Sequence, residues 1–171
     1  MFGAAAPAAE IEALHVDRDG DLFRLELRAL LSAPPAAVWA VLTDYPNLYR
    51  LSAAVRSSTH LGLTDDGRHR VHTSSQVCVW ILCKTLEHRQ LIREKAPGHL
   101  EAESDPLHSD FSFGLTEWQL SRVDHGTGFR LTAQLLPAFW VPPLVGSLMV
   151  EKGLRDTTLD ALRGLERETR R

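Results

Sequence analysis

The chain has 171 residues, of which 44% are hydrophobic and 24% charged, with a formal net charge of −3. Such a composition fits one globular domain with a sizeable core. It lacks the basic excess of a nucleic-acid binder, and the longest apolar stretch, Leu135–Val150, is too short and too rich in proline to span a bilayer.

The start, MFGAAAPAAE, has neither a basic n-region nor an apolar h-region, so it is not an intact signal peptide. Residues 1–9 are expected to be an arm, 10–168 the domain and 169–171 a tail. A cytoplasmic location is expected. The alanine-rich start also fits the remnant of a removed leader, which keeps a periplasmic location as the alternative.

Ile11–Val16 and Asp21–Leu31 flank Asp17-Arg18-Asp19-Gly20, an Asp-Gly hairpin signal. Phe23, Leu25, Leu27, Ala29 and Leu31 alternate with Arg24, Glu26, Arg28 and Leu30, the period of a half-buried strand. Pro34-Pro35 ends the pairing, and Pro35 suits the first position of a helix. Val38, Val41, Leu42 and Tyr45 fall at i, i+3, i+4 and i+7, with Trp39 beside them. Pro46 closes this helix by pushing Tyr45 out of the α region, and Asn47–Leu51 gives one further helical turn.

Val55–Leu61, Arg68–Val79, Lys84–Lys95, His99–Glu103, Phe111–Val123 and Phe129–Leu135 read as strands with hairpin connections. Pro142–Glu168 reads as a closing helix of about 27 residues, roughly 40 Å long. Gly146 and Gly153 lie inside it, each about 1 kcal/mol less favourable than alanine. They either leave room for a ligand or pack closely on the sheet.

The pattern APPAAVWAVLTDYPNLYRLSAAVRSS resembles the start of the SRPBCC, or START-like, superfamily. The branch it is most similar to holds coenzyme-Q-binding proteins and polyketide cyclase/dehydrases. Pro35, Val38, Trp39, Leu42, Thr43, Asp44 and Tyr45 carry the match. Pro34 replaces the capping serine, so the cap is expected at Ser32 or Ala33. LLPAFWVPPLVGSLM (135–149) resembles the branch's lead-in to its closing helix. The resemblance covers roughly residues 20–168. It implies an α+β helix-grip fold, in which a curved antiparallel sheet wraps a long C-terminal helix and a small helical hairpin follows the first strands. It also implies a hydrophobic small molecule as partner: a lipid, an isoprenoid or a quinone-like compound.

The wall of such a cavity is expected from Phe23, Leu25, Leu27, Trp39, Trp80, Trp118, Leu120, Phe129, Leu131, Ala133, Leu135, Trp140, Leu148 and Met149. An aromatase/cyclase-type enzyme, the alternative, needs an acid or base inside the pocket. His72, His88 and Glu117 are the candidates, with Arg89 or Arg130 as oxyanion partner. Both faces of Phe111–Val123 are mixed, and a bulge at Gly114 would swap their parity, so the inward side of Glu117 stays open.

The eight histidines are scattered, and neither G-x-S-x-G nor a zinc-ligand spacing occurs, so no metal and no cofactor are expected. Cys78 and Cys83 would point to opposite faces of one continuous strand, which disfavours a disulfide; a hairpin bend between them would weaken that argument. VCVWIL (77–82) and AFWVPPLVGSLM (138–149) are apolar for connecting regions. Membrane-surface contact, or a non-catalytic interaction module, expects an exposed Trp80 and Trp140. A closed core expects both buried. Oligomeric state is not legible.

Overall fold

The computed structural model describes residues 9–79, 81–143 and 145–171. Eight strands form one antiparallel sheet: β1 (Glu10–Asp19), β2 (Leu22–Leu31), β3 (Val55–Leu63), β4 (His69–Val79), β5 (Leu82–Ala96), β6 (His99–Ser104), β7 (Phe111–Val123) and β8 (Gly126–Pro137). Their spatial order is β1-β2-β8-β7-β6-β5-β4-β3. From β3 onward each strand pairs with the next in sequence, and β8 closes onto β2.

Between β2 and β3 lie helix α1 (Pro35–Leu42) and a 3-10 helix, Tyr45–Arg50. Helix α2 (Gly146–Glu168) ends the fold. This is the helix-grip arrangement, with α2 held against the concave face of the sheet. The concave face carries the odd residues of β2, and Phe23, Leu27 and Ala29 are each 1% exposed. Leu27, Val71, Ile92, Leu100 and Phe129 from the sheet join Val38, Leu42, Leu162 and Leu165 from the helices in one buried cluster.

Three expectations are corrected. Helix α2 begins at Gly146, not Pro142, because Val141 and Pro142 each precede a proline and are pushed out of the α region. Ser32 does not cap α1, whose N-cap is Pro34 without a side-chain bond. Ser32 instead gives its N–H and hydroxyl to the buried Glu166 carboxylate, at 2.9 and 3.0 Å. Cys78 and Cys83 form a disulfide. The chain bends between β4 and β5, which sets the two cysteines directly opposite each other across the hairpin, with Cα atoms 4.0 Å apart.

The two halves of α2 are held differently. Its C-terminal half is tied by polar contacts: Asp160 accepts from the Ser52 hydroxyl at 2.6 Å and the Ala53 N–H at 3.0 Å, and Glu166 holds Ser32. Gly164 passes so close to the chain that a Cβ there would lie 1.7 Å from the Leu51 carbonyl oxygen. In the N-terminal half, Gly146 and Gly153 are both buried. A Cβ on Gly146 would meet the Pro142 ring at 2.6 Å, so this glycine serves close packing against the lead-in segment.

Candidate functional site

Strand alternation decides which side chains face α2. On β4 these are Val71, Thr73, Ser75 and Val77, and on β5 Leu86, His88, Gln90 and Ile92. On β7 the register shifts between Phe111 and Phe113. Phe111 therefore faces inward with Gly114, Thr116 and Trp118, although their numbers differ in parity. The bulge anticipated at Gly114 lies just before it.

Among the described residues, a pair of adjoining cavities opens between the concave face of the sheet and the helices. The proximal one, about 320 Å³, lies under α1 and the C-terminal half of α2, walled by Leu27, Leu48, Ile92, Trp118, Leu131 and Ala161 among others. The distal one, about 400 Å³, lies under the N-terminal half of α2, between Leu86, His88, Phe111, Phe139, Met149 and Leu154. Thr73 and Thr157 line both, so the two lobes meet at a polar waist between β4 and α2. Protein interiors pack with few voids larger than one water, and ligand pockets typically span about 300–1,000 Å³. The spaces belong to the second class.

Of the expected wall residues, Leu27, Trp118, Phe129 and Leu131 line the proximal lobe, and Trp140 and Met149 the distal one. Leu25 is packed into the core instead, and Trp39, Leu120 and Ala133, partly buried, pack against it. Phe23 is buried, and Leu135 packs over Gly114. Leu148 is 63% exposed. Trp80 lies outside the described residues. The difference arises because the C-terminal half of α2 and α1 pack directly on the β2 side of the sheet, while the N-terminal half of α2 stands off β4 and β5 around the distal lobe.

Thr73 and Ser75 in the distal wall and Gln90 in the proximal one were missed from sequence because they are polar. The missed signal is their shared parity with Val71 on one strand and Ile92 on the next, both buried.

The titratable candidates do not converge. His72 lies on the convex face, with Nε2 at 2.9 Å from the Glu87 carboxylate, which also accepts from the Ser74 hydroxyl at 2.7 Å. Glu117 sits between inward-facing Thr116 and Trp118 and so points outward, 3.8 Å from His99 Nε2. Arg89 and Arg130 also face outward, towards Asp105 and Glu26. Only His88 of this group reaches the cavity. Its ring lies 4.8 Å from Phe111, and Nε2 is 2.6 Å from the Ser104 hydroxyl oxygen. Burial, helped by the nearby His72 charge and opposed by Asp110, pushes its pKa down to about 4, so the imidazole is neutral near pH 7.

Leu82 and Trp140 line the distal lobe and yet are 59% and 78% exposed, so they stand at its mouth. Ile81, beside Leu82 at the hairpin tip, is also exposed. Lys84 lies over the Phe139 ring at 4.5 Å in the same wall. Among the described residues no helix is long and apolar enough to cross a membrane, and no group of three or more His, Cys, Asp or Glu is placed to hold a metal ion.

No curated protein matches the sequence. Solved structures share the fold at low identity. The Zhui aromatase/cyclase from Streptomyces superposes with a TM-score of 0.69 at 17% identity, covering 88% of this chain and 94% of that one. A START superfamily protein from Mycobacterium smegmatis gives 0.68 at 12%, covering 88% and 98%. A STAR-related lipid transfer protein from Xanthomonas axonopodis gives 0.59 at 16%, covering 92% and 99%. The family described as polyketide cyclase/dehydrase and lipid transport matches residues 23–169. With nearly the whole domain matched and the helix-grip fold in place, the chain belongs to that family, within the START-like superfamily.

Proposed function

We propose that this protein binds and carries a hydrophobic small molecule, a lipid, isoprenoid or quinone-like compound, in the two-lobed space between the sheet and α2. The observation that carries the reading is the pair of cavities meeting at Thr73 and Thr157, with largely apolar walls. Burying about 400 Å² of ligand at ~25 cal/mol per Å² contributes roughly 10 kcal/mol before association costs are subtracted. The remainder corresponds to binding in the micromolar range. Such binding needs no catalytic group. An aromatase/cyclase-type activity would have to run on His88 alone among the named candidates, since His72 and Glu117 face outward.

Leu82 and Trp140 at the mouth, with Ile81 beside them, favour loading from a lipid surface, because tryptophan suits the boundary between water and acyl chains. The disulfide between Cys78 and Cys83 favours the periplasmic location over the cytoplasmic one.

The test is titration with an anilinonaphthalene dye, followed by displacement with a panel of lipids, quinones and isoprenoids. Saturable dye binding, competed at micromolar concentration by at least one panel class, supports the reading. Dye that does not bind, or that no apolar compound displaces, overturns it.

A further inference from the structure

His88 is a histidine in the wall of an apolar cavity, and its hydrogen bonding is half complete. Nε2 is 2.6 Å from the Ser104 hydroxyl oxygen, and that ring nitrogen is the hydroxyl's only hydrogen-bond partner among the described residues. Ser104 is held in place, because it stands directly over Gly114, where a Cβ would come within 2.0 Å of its oxygen. The Ser104 hydroxyl can donate its proton to Nε2 or accept one from it. In the first arrangement, on which the proposal below rests, Nε2 is the acceptor and the imidazole proton sits on Nδ1.

Nδ1 has no hydrogen-bond partner among the described residues, and the ring borders the distal lobe with one flank against Phe111. Nδ1 is not sealed from solvent as His72 Nδ1 and His99 Nε2 are, so it is open to the lobe. A ligand atom that accepts from it takes the place of the water that would otherwise hydrate it. The charged groups acting on His88 are His72 and Asp110, and the Asp110 carboxylate opposes an anionic ligand group.

We propose that His88 is a ligand-binding residue whose Nδ1–H donates to an uncharged acceptor, a carbonyl oxygen, carried by the apolar molecule in the distal cavity. The proposal rests on the binding function above and adds to it a position and a chemical class. The ligand is a ketone, ester or quinone-type compound, with the carbonyl beneath the N-terminal half of α2 and apolar parts reaching past Thr73 and Thr157 into the proximal lobe. The neutral imidazole suits this role, since a donor that stays uncharged near pH 7 does not demand a counter-ion.

The test uses two probes of nearly equal shape, benzophenone and diphenylmethane, which differ by a carbonyl in place of a methylene. Both are titrated into the wild-type protein and into H88L, and the ratio of their affinities is compared between proteins. The expected result is that His88→Leu lowers the affinity of benzophenone relative to diphenylmethane about three- to tenfold. The carbonyl stretch of bound benzophenone should also lie at lower frequency in the wild type than in the variant.

An unchanged ratio together with an unchanged carbonyl frequency overturns the proposal while leaving the cavity reading intact. If neither probe binds the wild type, the cavity reading falls and the proposal with it. Should H88L fail to fold, S104A keeps the imidazole but releases its tautomer. The same ratio then drops by a smaller factor, and the imidazole 15N shifts move toward a tautomer mixture. No change in either for S104A counts against the proposal.

Discussion

Ser32 and Glu166 stand 134 residues apart, yet the Glu166 carboxylate accepts both the N–H and the hydroxyl of Ser32, at 2.9 and 3.0 Å. Arg170 binds the same carboxylate from the next turn of the helix, at 3.0 Å. Glu166 is 5% exposed, so its removal leaves both Ser32 donors without their acceptor in a poorly solvated site. Glu166→Ala is expected to cost about 2–3 kcal/mol in denaturant unfolding. The double variant with Ser32→Ala should recover part of it, because one of the stranded donors is gone. Additive losses in that cycle would contradict the pairing.

Gly164 makes a second prediction with an unusual sign. On helix propensity alone, Gly164→Ala would stabilise α2 by about 1 kcal/mol. The new Cβ would lie 1.7 Å from the Leu51 carbonyl oxygen, and backbone on both sides must move to relieve the clash. The expected outcome is a loss of about 3 kcal/mol or more, seen as a fall in Tm.

The low pKa of His88 ties stability to pH. The native imidazole takes its proton near pH 4, the unfolded one near 6.5. Between these values the unfolded state binds more protons, so stability contributed at neutral pH is lost as pH falls from about 6.5 to about 4. Unfolding at pH 7 and at pH 4.5 should show the wild type losing on the order of 2–3 kcal/mol more than H88L. Equal losses in the two proteins would remove this histidine from the pH dependence.

Thr157 marks the waist, so Thr157→Phe should fill the junction of the two lobes. A ligand long enough to occupy both is expected to lose at least about tenfold in affinity, while a ligand confined to the distal lobe loses less. Isothermal titration with a short and a long homologue of one compound separates the two effects. Equal losses for both would mean that the lobes do not share a ligand.

The Cys78–Cys83 bridge closes a very short loop, for which the chain-entropy relation gives about 2 kcal/mol. Reduction should lower Tm modestly, and thiol labelling of the unfolded protein should rise from none to both cysteines only after reduction. Two reactive thiols without a reductant would contradict the bridge.

The fold was legible because its signals are local. Pro34-Pro35, the Val38–Tyr45 face and the Asp19-Gly20 turn each act within a few residues, and the strands appear where alternation placed them. The site was legible only in part, because it depends on which surface each strand faces. Leu27, Trp118 and Phe129 line the cavity as apolarity suggests, whereas Leu25 on the same face is packed into the core and Ala133 packs against it. That difference is set by where α1 and α2 lie, which no single strand encodes. Glu117 could not be oriented until the register shift before Gly114 was seen, and Cys78 met Cys83 only because the chain bends between them. Ser32 resembled a helix cap, but its partner lies near the far end of the chain.

The most direct measurement is native mass spectrometry of gently purified protein, followed by solvent extraction and identification of whatever is released. The account predicts a stoichiometric apolar compound carrying a carbonyl, or its uptake from an added lipid and quinone panel. A clean ligand-free mass that no member of the panel alters would contradict it.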